Sequence, residues 1–212
     1  MSMKIAQEGY PFIFISAVIT ILLALVSVMA ALIPLVITFF MIYFFRDPDR
    51  SIPDDKDVLI SPADGKIIVI EKVFESNYLQ SECTKISIFM SPFNVHVNRV
   101  PCDCNVLDVV HKKGKFLSAF KPEASIENEN ISLLVDTIYG KILIRQIAGF
   151  VARRAVCRAR AGDSLKKGER FGIIKFSSRV DIFIPLTFTP SIKLNEKVYA
   201  GESIIARFKK NI

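Results

Sequence analysis

The sequence predicts a mainly β protein with a minor helical part: an antiparallel, barrel-sandwich-like β domain that follows an N-terminal hydrophobic helical membrane segment. Two observations predict this class. Residues 11–45 are strongly apolar and carry no charged side chain. After residue 46 the chain changes to short runs rich in Ile, Val and Phe, separated by Gly, Pro, Asn and Asp, which is typical of strands joined by turns. The predicted division is a membrane-associating segment, 1–45, and a β domain, 46–212, long enough to bury its own core.

The apolar segment limits how the chain can meet a membrane. One helical crossing needs about 20 apolar residues, so residues 11–45 are too long for one short span and too short for two full spans with a turn. Two alternatives remain open: one long span, or a short helical hairpin. Because proline lacks a backbone donor, Pro34 is the expected position of a break in the hairpin alternative.

The β domain is predicted from the apolar runs that follow. Residues between Pro92 and Pro101 are expected to be a loop or an edge, and residues 116–130 an irregular excursion. The predicted strands cover residues 66–73, 84–90, 104–111, 131–138, 141–148, 151–160, 171–176, 179–184 and 203–208.

Two glycines frame a polar turn late in the chain. Gly162 and Gly168 enclose Asp163-Ser164-Leu165-Lys166-Lys167, and a strand-like run follows. Paired glycines let a chain reverse direction between strands, and this turn resembles the one found in lipoyl-type barrel-sandwich folds. It favours the barrel-sandwich architecture over a flat open sheet.

The net charge of +7 falls wholly in the β domain, and residues 153–170 concentrate it. Such a cluster can face an anionic membrane surface, with Arg153, Arg154 and Arg158 as the candidate contacts for substrate or membrane. A solvated charged face is the simpler alternative. Nucleic acid is disfavoured as a partner, because the aromatic residues do not interleave with the basic ones as a stacking platform requires.

The cysteines predict neither a disulfide framework nor a metal centre. Cys83, Cys102, Cys104 and Cys157 are irregularly spaced in a chain too large to need disulfides. The Cys102-Asp103-Cys104 run lacks a second Cys or His pair at ligand spacing. We therefore expect no metal and free thiols.

Two polar residues are candidates for acid–base chemistry. His96 lies between Asn94 and Asn98 in an alternating pattern, which puts three polar side chains on one face if the segment is extended. Asp64 is a candidate partner, since a carboxylate can orient a histidine that exchanges protons near neutral pH. The structural alternatives are a satisfied core histidine and an ordinary Asp-Gly turn.

Several motifs together resemble one family, the short-form, membrane-associated phosphatidylserine decarboxylases, whose members depend on a pyruvoyl group. The resemblance follows the family's order over about residues 10–210. The matching stretches are YFFRDPDR (43–50), SPADG (61–65), FNVHVNR (93–99), QIAGFVARR (146–154) and GERFGIIKFSSRVD (168–181).

The resemblance implies a proenzyme that cuts itself between Ser177 and Ser178, leaving a β chain, 1–177, and an α chain, 178–212, as a heterodimer, with a higher oligomer left open. Ser178 would become the covalent pyruvoyl cofactor, which forms a Schiff base with phosphatidylserine and releases phosphatidylethanolamine and CO2. His96 and Asp64 would be the acid–base residues. The enzyme would work at the cell membrane, with its catalytic domain on the cytoplasmic side and an anionic membrane surface as partner.

The sequence departs from the family pattern in two ways. Ser177 replaces the usual Gly, whose unhindered carbonyl favours the acyl shift, although bacterial histidine decarboxylases cut at a Ser-Ser bond. Longer-form relatives have two His three residues apart, whereas His96 is followed by Arg99. One alternative is therefore an unprocessed, inactive homologue that acts as a membrane lipid-binding or scaffold protein. Another is a membrane-anchored β-sandwich adaptor.

Overall fold

The structure is a computed structural model that describes residues 4–114, 128–149, 154–175 and 178–209. Its contacts divide the chain into two compact units, Met1–Asp49 and Arg50–Ile212. The first unit is mainly helical and the second is a β domain, so the mainly β class with an apolar helical N-terminal part is confirmed.

The first unit is a helical hairpin. Helix α1 spans Tyr10–Val26 and helix α2 spans Val28–Phe44, with a 3-10 turn at Gln7–Gly9 before α1. The helices pack against each other, and the hydroxyls of Thr20 and Thr38 lie 3.4 Å apart between them. The stretch Gln7–Val26 is long and apolar enough to cross a bilayer, whereas α2 is shorter. Most of the large apolar side chains on both helices are exposed.

The hairpin breaks at Ser27, so the prediction of a break near Pro34 is wrong. Ser27 has an extended backbone (φ −156°, ψ 120°), and its side chain caps α2 by accepting a bond from the Ala30 N–H. Serine favours this position because it satisfies a donor at the helix start that has no partner within the helix. Pro34 lies inside α2, where its carbonyl still accepts a bond of 2.8 Å from the Thr38 hydroxyl.

A two-stranded ribbon closes the first unit. Strand β1, Lys4–Ile5, pairs antiparallel with β2, Arg46–Asp47. The ion pair between Lys4 and Asp49 lies beside the ribbon. The segment that follows the apolar run therefore belongs, through residue 49, to the helical unit.

The second unit consists of strands joined by short turns. The strands are β3 Val58–Ile60, β4 Gly65–Glu75, β5 Ser81–Met90, β6 Val97–Arg99, β7 Cys104–Lys112, β8 Asn130–Thr137, β9 Gly140–Ala148, β10 Arg154–Cys157, β11 Ser164–Leu165, β12 Arg170–Lys175, β13 Ser178–Pro185, β14 Phe188–Pro190, β15 Lys197–Val198 and β16 Ile204–Phe208.

One curled antiparallel sheet of eight strands organises this unit, in the order β11-β7-β8-β9-β13-β5-β4-β15. Two three-stranded sheets, β10-β12-β6 and β14-β16-β3, complete it. The main apolar core draws on all three sheets and includes Ile88, Leu133, Ile174, Val180 and Ala206. Strand β13 lies inside the large sheet, with β9 on one side and β5 on the other.

Most predicted strands match observed ones within a few residues, because runs rich in Ile, Val and Phe between turn residues favour extended chain. The run predicted at 151–160 is shorter: the described strand is β10, Arg154–Cys157. The Pro92–Pro101 segment contains β6, and β3 was not predicted. The predicted excursion at 116–130 lies mostly outside the described residues. Gly162 and Gly168 have φ of +93° and +80°, the left-handed conformation expected of the turn.

Candidate active site

Ser178 begins the central strand β13 and is fully buried. It lies opposite Met90 of β5 and Ala148 of β9. Its hydroxyl donates to the Met90 sulfur at 3.4 Å. The predicted cleavage partner, Ser177, lies outside the described residues. The backbone that follows the predicted cut is thus paired with β5 on one side and β9 on the other, inside the core.

His96 is also fully buried, one residue before β6. Its carbonyl accepts a bond from Ile174 of β12, and its ring Nδ1 lies 3.0 Å from the Asn94 carbonyl oxygen. A carbonyl oxygen only accepts, so Nδ1 carries the hydrogen. In the neutral ring Nε2 therefore keeps a lone pair and is the basic nitrogen.

The alternating polar face predicted around His96 is only partly present. The Asn94 side chain instead accepts bonds from the Ser91 backbone and hydroxyl, because this part of the segment is a turn. Asn98 does turn inward: its amide lies 3.9 Å from the Met90 sulfur. The Met90 sulfur therefore contacts both Ser178 and Asn98, and joins the start of β13 to the segment that carries His96.

Asp64 is buried and tied to Arg50. The Arg50 guanidinium contacts both carboxylate oxygens, at 3.0 and 2.9 Å, and the Ala200 N–H donates at 2.7 Å. Burial raises the pKa of the Asp64 carboxyl, while Arg50 and the N–H groups of Ala200 and Val95 act in the opposite direction. The observed hydrogen-bond partners of the Asp64 carboxylate are thus Arg50 and the backbone of Ala200.

Sequence reasoning missed Arg50 and Gln146 as parts of the site. Arg50 closes the YFFRDPDR stretch, and Gln146 opens the QIAGFVARR stretch. Gln146 is fully buried and donates to the Asn98 side-chain oxygen at 2.8 Å. Both belong to stretches that carried the resemblance, so the signal was present, but only the fold shows which side chains they contact.

The predicted basic contacts are only partly described. Arg153 lies outside the described residues, and Arg154 is placed in β10 by its backbone alone. Arg158 is half-buried, and its backbone N–H donates to the Phe171 carbonyl. Other cations of the run are paired: the Lys166 and Lys167 ammonium groups contact Asp103 and the Asp55 carbonyl, respectively. Whether the three arginines contact lipid stays a prediction.

The four cysteines are free thiols, three of them buried. Burial raises the pKa of Cys102 to about 12 and that of Cys104 to about 11. A thiol is a poor nucleophile and metal ligand until it loses its proton. At neutral pH both thiols therefore keep their protons, and the two side chains act as apolar core residues.

Comparison with known proteins identifies the chain as an enzyme of a decarboxylase class. A model of the family described as phosphatidylserine decarboxylase matches residues 37–206. Proteins named phosphatidylserine decarboxylase proenzyme from Geotalea uraniireducens (strain Rf4) and Syntrophus aciditrophicus (strain SB) are each 45% identical to this chain, over 204 and 207 residues. A protein of the same name from Desulfotalea psychrophila is 44% identical over 205 residues.

These alignments cover nearly the whole of each protein. They include 95% of this chain and 95% of the Geotalea protein, 96% and 96% for the Desulfotalea protein, and 96% and 97% for the Syntrophus protein. The chain belongs to the phosphatidylserine decarboxylase family, as the motifs indicated.

Proposed function

We propose that this chain cuts itself between Ser177 and Ser178 and then decarboxylates phosphatidylserine to phosphatidylethanolamine and CO2. The observation that carries the proposal is the position of Ser178: a buried serine at the first position of a central strand, joined through Met90 to the segment of His96. Family membership supports the substrate. Domain roles follow: residues 1–45 associate with the membrane, and residues 46–212 catalyse.

Self-cleavage would begin at the Ser178 hydroxyl. Nε2 of His96 takes the hydroxyl proton, and Oγ attacks the Ser177 carbonyl carbon. The C–N bond breaks, the proton passes to the freed nitrogen, and an ester replaces the amide. Removal of the Ser178 α-proton then breaks the Cβ–Oγ bond and releases residue 177 as a carboxylate. Water converts the resulting dehydroalanine to a pyruvoyl group and releases ammonia.

The residues around position 178 fit a pyruvoyl group. The side chain is small and lies in a buried environment against Met90, and the strand that follows is held by β5 and β9. The group supplies an electron sink for the charge left when CO2 departs. The chain's own residues would exclude water, orient the substrate, and move the protons: His96 at Nε2, with Asp64, held by Arg50, as the second acid–base candidate.

The two products of the cut would stay together as a heterodimer, because β13 belongs to the α chain while β5 and β9 belong to the β chain. Membrane association would come from the apolar hairpin, with the catalytic domain on the cytoplasmic side. Arg153, Arg154 and Arg158 would add attraction to anionic headgroups, at about 1 kcal/mol for each well-placed cation.

The test is the mass of the purified chain in denaturant. Apportioning the mass of 23.8 kDa by the lengths of residues 1–177 and 178–212 predicts chains of about 20 and 4 kDa. We expect both, with a carbonyl-reactive N-terminus at position 178, and CO2 release from phosphatidylserine vesicles. Ser178→Ala should stay uncut and inactive, whereas the neighbouring control Ser177→Gly should still be cut. Full activity of Ser178→Ala would overturn the pyruvoyl assignment.

The second candidate function is the unprocessed homologue that binds lipid without turning it over. The serine at 177, where the family usually has glycine, favours it. A wild-type chain that stays at 23.8 kDa and binds phosphatidylserine vesicles without releasing CO2, while Ser177→Gly is cut, would establish this alternative.

A further inference from the structure

Gln146 lies on the face of the sheet that carries Ser178. It sits within β9 directly opposite Val180, while Ser178 lies opposite Ala148. Side chains two residues apart on a strand share a face, and directly opposite residues do too. Gln146 is therefore the diagonal neighbour of Ser178. Such pairs have Cα atoms about 7–8 Å apart, within reach of a long side chain.

The side-chain amide of Gln146 has hydrogen-bond partners at its nitrogen, but none among the described residues at its oxygen. Nε2 donates to the Asn98 oxygen at 2.8 Å and lies 3.5 Å from the Val156 carbonyl oxygen. These two acceptors determine which end is the nitrogen. The other end, Oε1, is buried and has no hydrogen-bond partner within the part of the chain that the structure describes.

A buried acceptor without a partner is destabilising, and such groups are rare in native proteins. Gly172 lies beside the satisfied end of this amide: a Cβ there would lie 3.0 Å from the Gln146 nitrogen and 2.2 Å from the Val156 carbonyl oxygen. An acceptor that has no partner among the described residues, on the sheet face that carries Ser178, is placed to accept a hydrogen bond from a ligand at position 178.

We propose that Oε1 of Gln146 accepts a hydrogen bond from the amino group of the substrate's serine headgroup. This inference rests on the proposed function, in which that amine reacts at position 178. An amine always offers N–H donors. A neutral carboxamide can orient them without pairing with the charged ammonium, as a carboxylate would, and so leaves the nitrogen able to lose its proton and react.

The test measures binding separately from turnover. The full chain is first treated with borohydride, which reduces a carbonyl at position 178 and prevents a covalent bond to amines. Two soluble lipids are then compared by calorimetry: dihexanoyl phosphatidylethanolamine and dihexanoyl phosphatidylpropanol, in which a methyl group replaces the ammonium. We expect wild type to prefer the amine by about tenfold, the value of one such bond.

Gln146→Met has nearly the same shape and no acceptor, and should bring the preference close to one. Gln146→Glu keeps an acceptor oxygen and should prefer the amine at least as strongly as wild type. This second variant decides the question if Gln146→Met fails to fold. A wild-type preference near one, a Gln146→Met preference still near ten, or a Gln146→Glu preference below that of wild type overturns the proposal.

The outcome is separable from that of the proposed function. Loss of CO2 release and of self-cleavage in wild type would refute the decarboxylase assignment. The amine preference and its dependence on Gln146 would still be measured by calorimetry in the same sample.

Discussion

Arg179 and Asp181 form a bidentate ion pair inside the protein. Nε and Nη2 of Arg179 lie 2.6 and 3.0 Å from the two Asp181 carboxylate oxygens, and Nη2 also donates to the Ser87 hydroxyl at 3.1 Å. The two side chains are two residues apart on β13, so they share one face of the sheet, and both are almost wholly inaccessible to solvent.

This pair should make β13 sensitive to the loss of either charge. Asp181→Asn leaves the Arg179 guanidinium buried without a counter-charge, which typically costs about 3–5 kcal/mol. Urea unfolding of the Ser178→Ala chain, with and without the substitution, measures the loss. Glu71→Gln is the control, because Glu71 pairs with Lys85 nearer the surface, where a pair contributes about 1 kcal/mol or less. Equal losses in the two variants would contradict the prediction.

Gly65 should tolerate no side chain. Its Cβ would lie 2.2 Å from the Phe89 carbonyl oxygen, an atom of the neighbouring strand's backbone that cannot turn away. We expect Gly65→Ala to lose more than about 2 kcal/mol in urea unfolding, the range of an overpacked core, and to slow self-cleavage because Asp64 is the preceding residue.

Gly162→Ala is the matched control for that substitution. Among the described residues, its two chain neighbours aside, no atom lies within 4 Å of its Cβ position, and the expected cost comes from a φ of +93°. This conformation costs a non-glycine residue roughly 1–2 kcal/mol. A Gly65→Ala chain that is as stable and as fully cut as Gly162→Ala would refute the steric argument.

The buried thiols should resist alkylation in the folded chain. With the pKa of Cys102 at about 12 and that of Cys104 at about 11, almost no thiolate exists at pH 8. Iodoacetamide should leave both unmodified in buffer and modify all four cysteines in urea, as read by intact mass. Rapid labelling of Cys102 or Cys104 under native conditions would contradict their burial.

The same shifts predict a loss of stability at high pH. In the unfolded chain these thiols ionise near pH 9.0, whereas in the folded chain they hold their protons to about pH 11 or 12. Because the unfolded state releases protons first, the stability present below pH 9 falls as the pH rises through this window. Cys104→Ala should make the fall of the urea midpoint smaller between pH 9 and 11, and an unchanged fall would count against the shift.

The two chains made by self-cleavage should separate only in denaturant. The α chain would keep β13 paired with β5 and β9, and Val180, Ile182 and Ile184 buried in the core. Native size-exclusion chromatography of the cut protein should give the same elution volume as uncut Ser178→Ala. Loss of the smaller chain on the column would show that strand pairing does not hold it.

Much of the β domain could be read from the sequence. The run predicted at 179–184 is β13, Ser178–Pro185, because a short run rich in Ile, Val and Phe favours a buried strand. The helical hairpin was one of two alternatives, but its break was misplaced. Pro34 is a strong local signal, and the capping of α2 by Ser27 outweighed it.

For the candidate site too, some features were predicted from the sequence and others were seen only in the structure. Ser178, His96 and Asp64 were identified by residue type and motif, and each is buried in the structure. Asp64 was predicted as the partner of His96, whereas its pairing with Arg50 was not predicted. Arg50 reaches Asp64 and Gln146 reaches Asn98 only because separate strands and loops meet in space.

The sequence by itself determined the family, the strand pattern and the reactive residue types, since these depend on local order and on motifs along the chain. Only the tertiary structure decided that Met90 joins Ser178 to Asn98, and that Gln146 shares a face with Ser178 and keeps an acceptor without a partner among the described residues. The physical reason is strand register. A shift of one residue turns every side chain of a strand to the opposite face, and register is set by long-range packing that no local pattern contains.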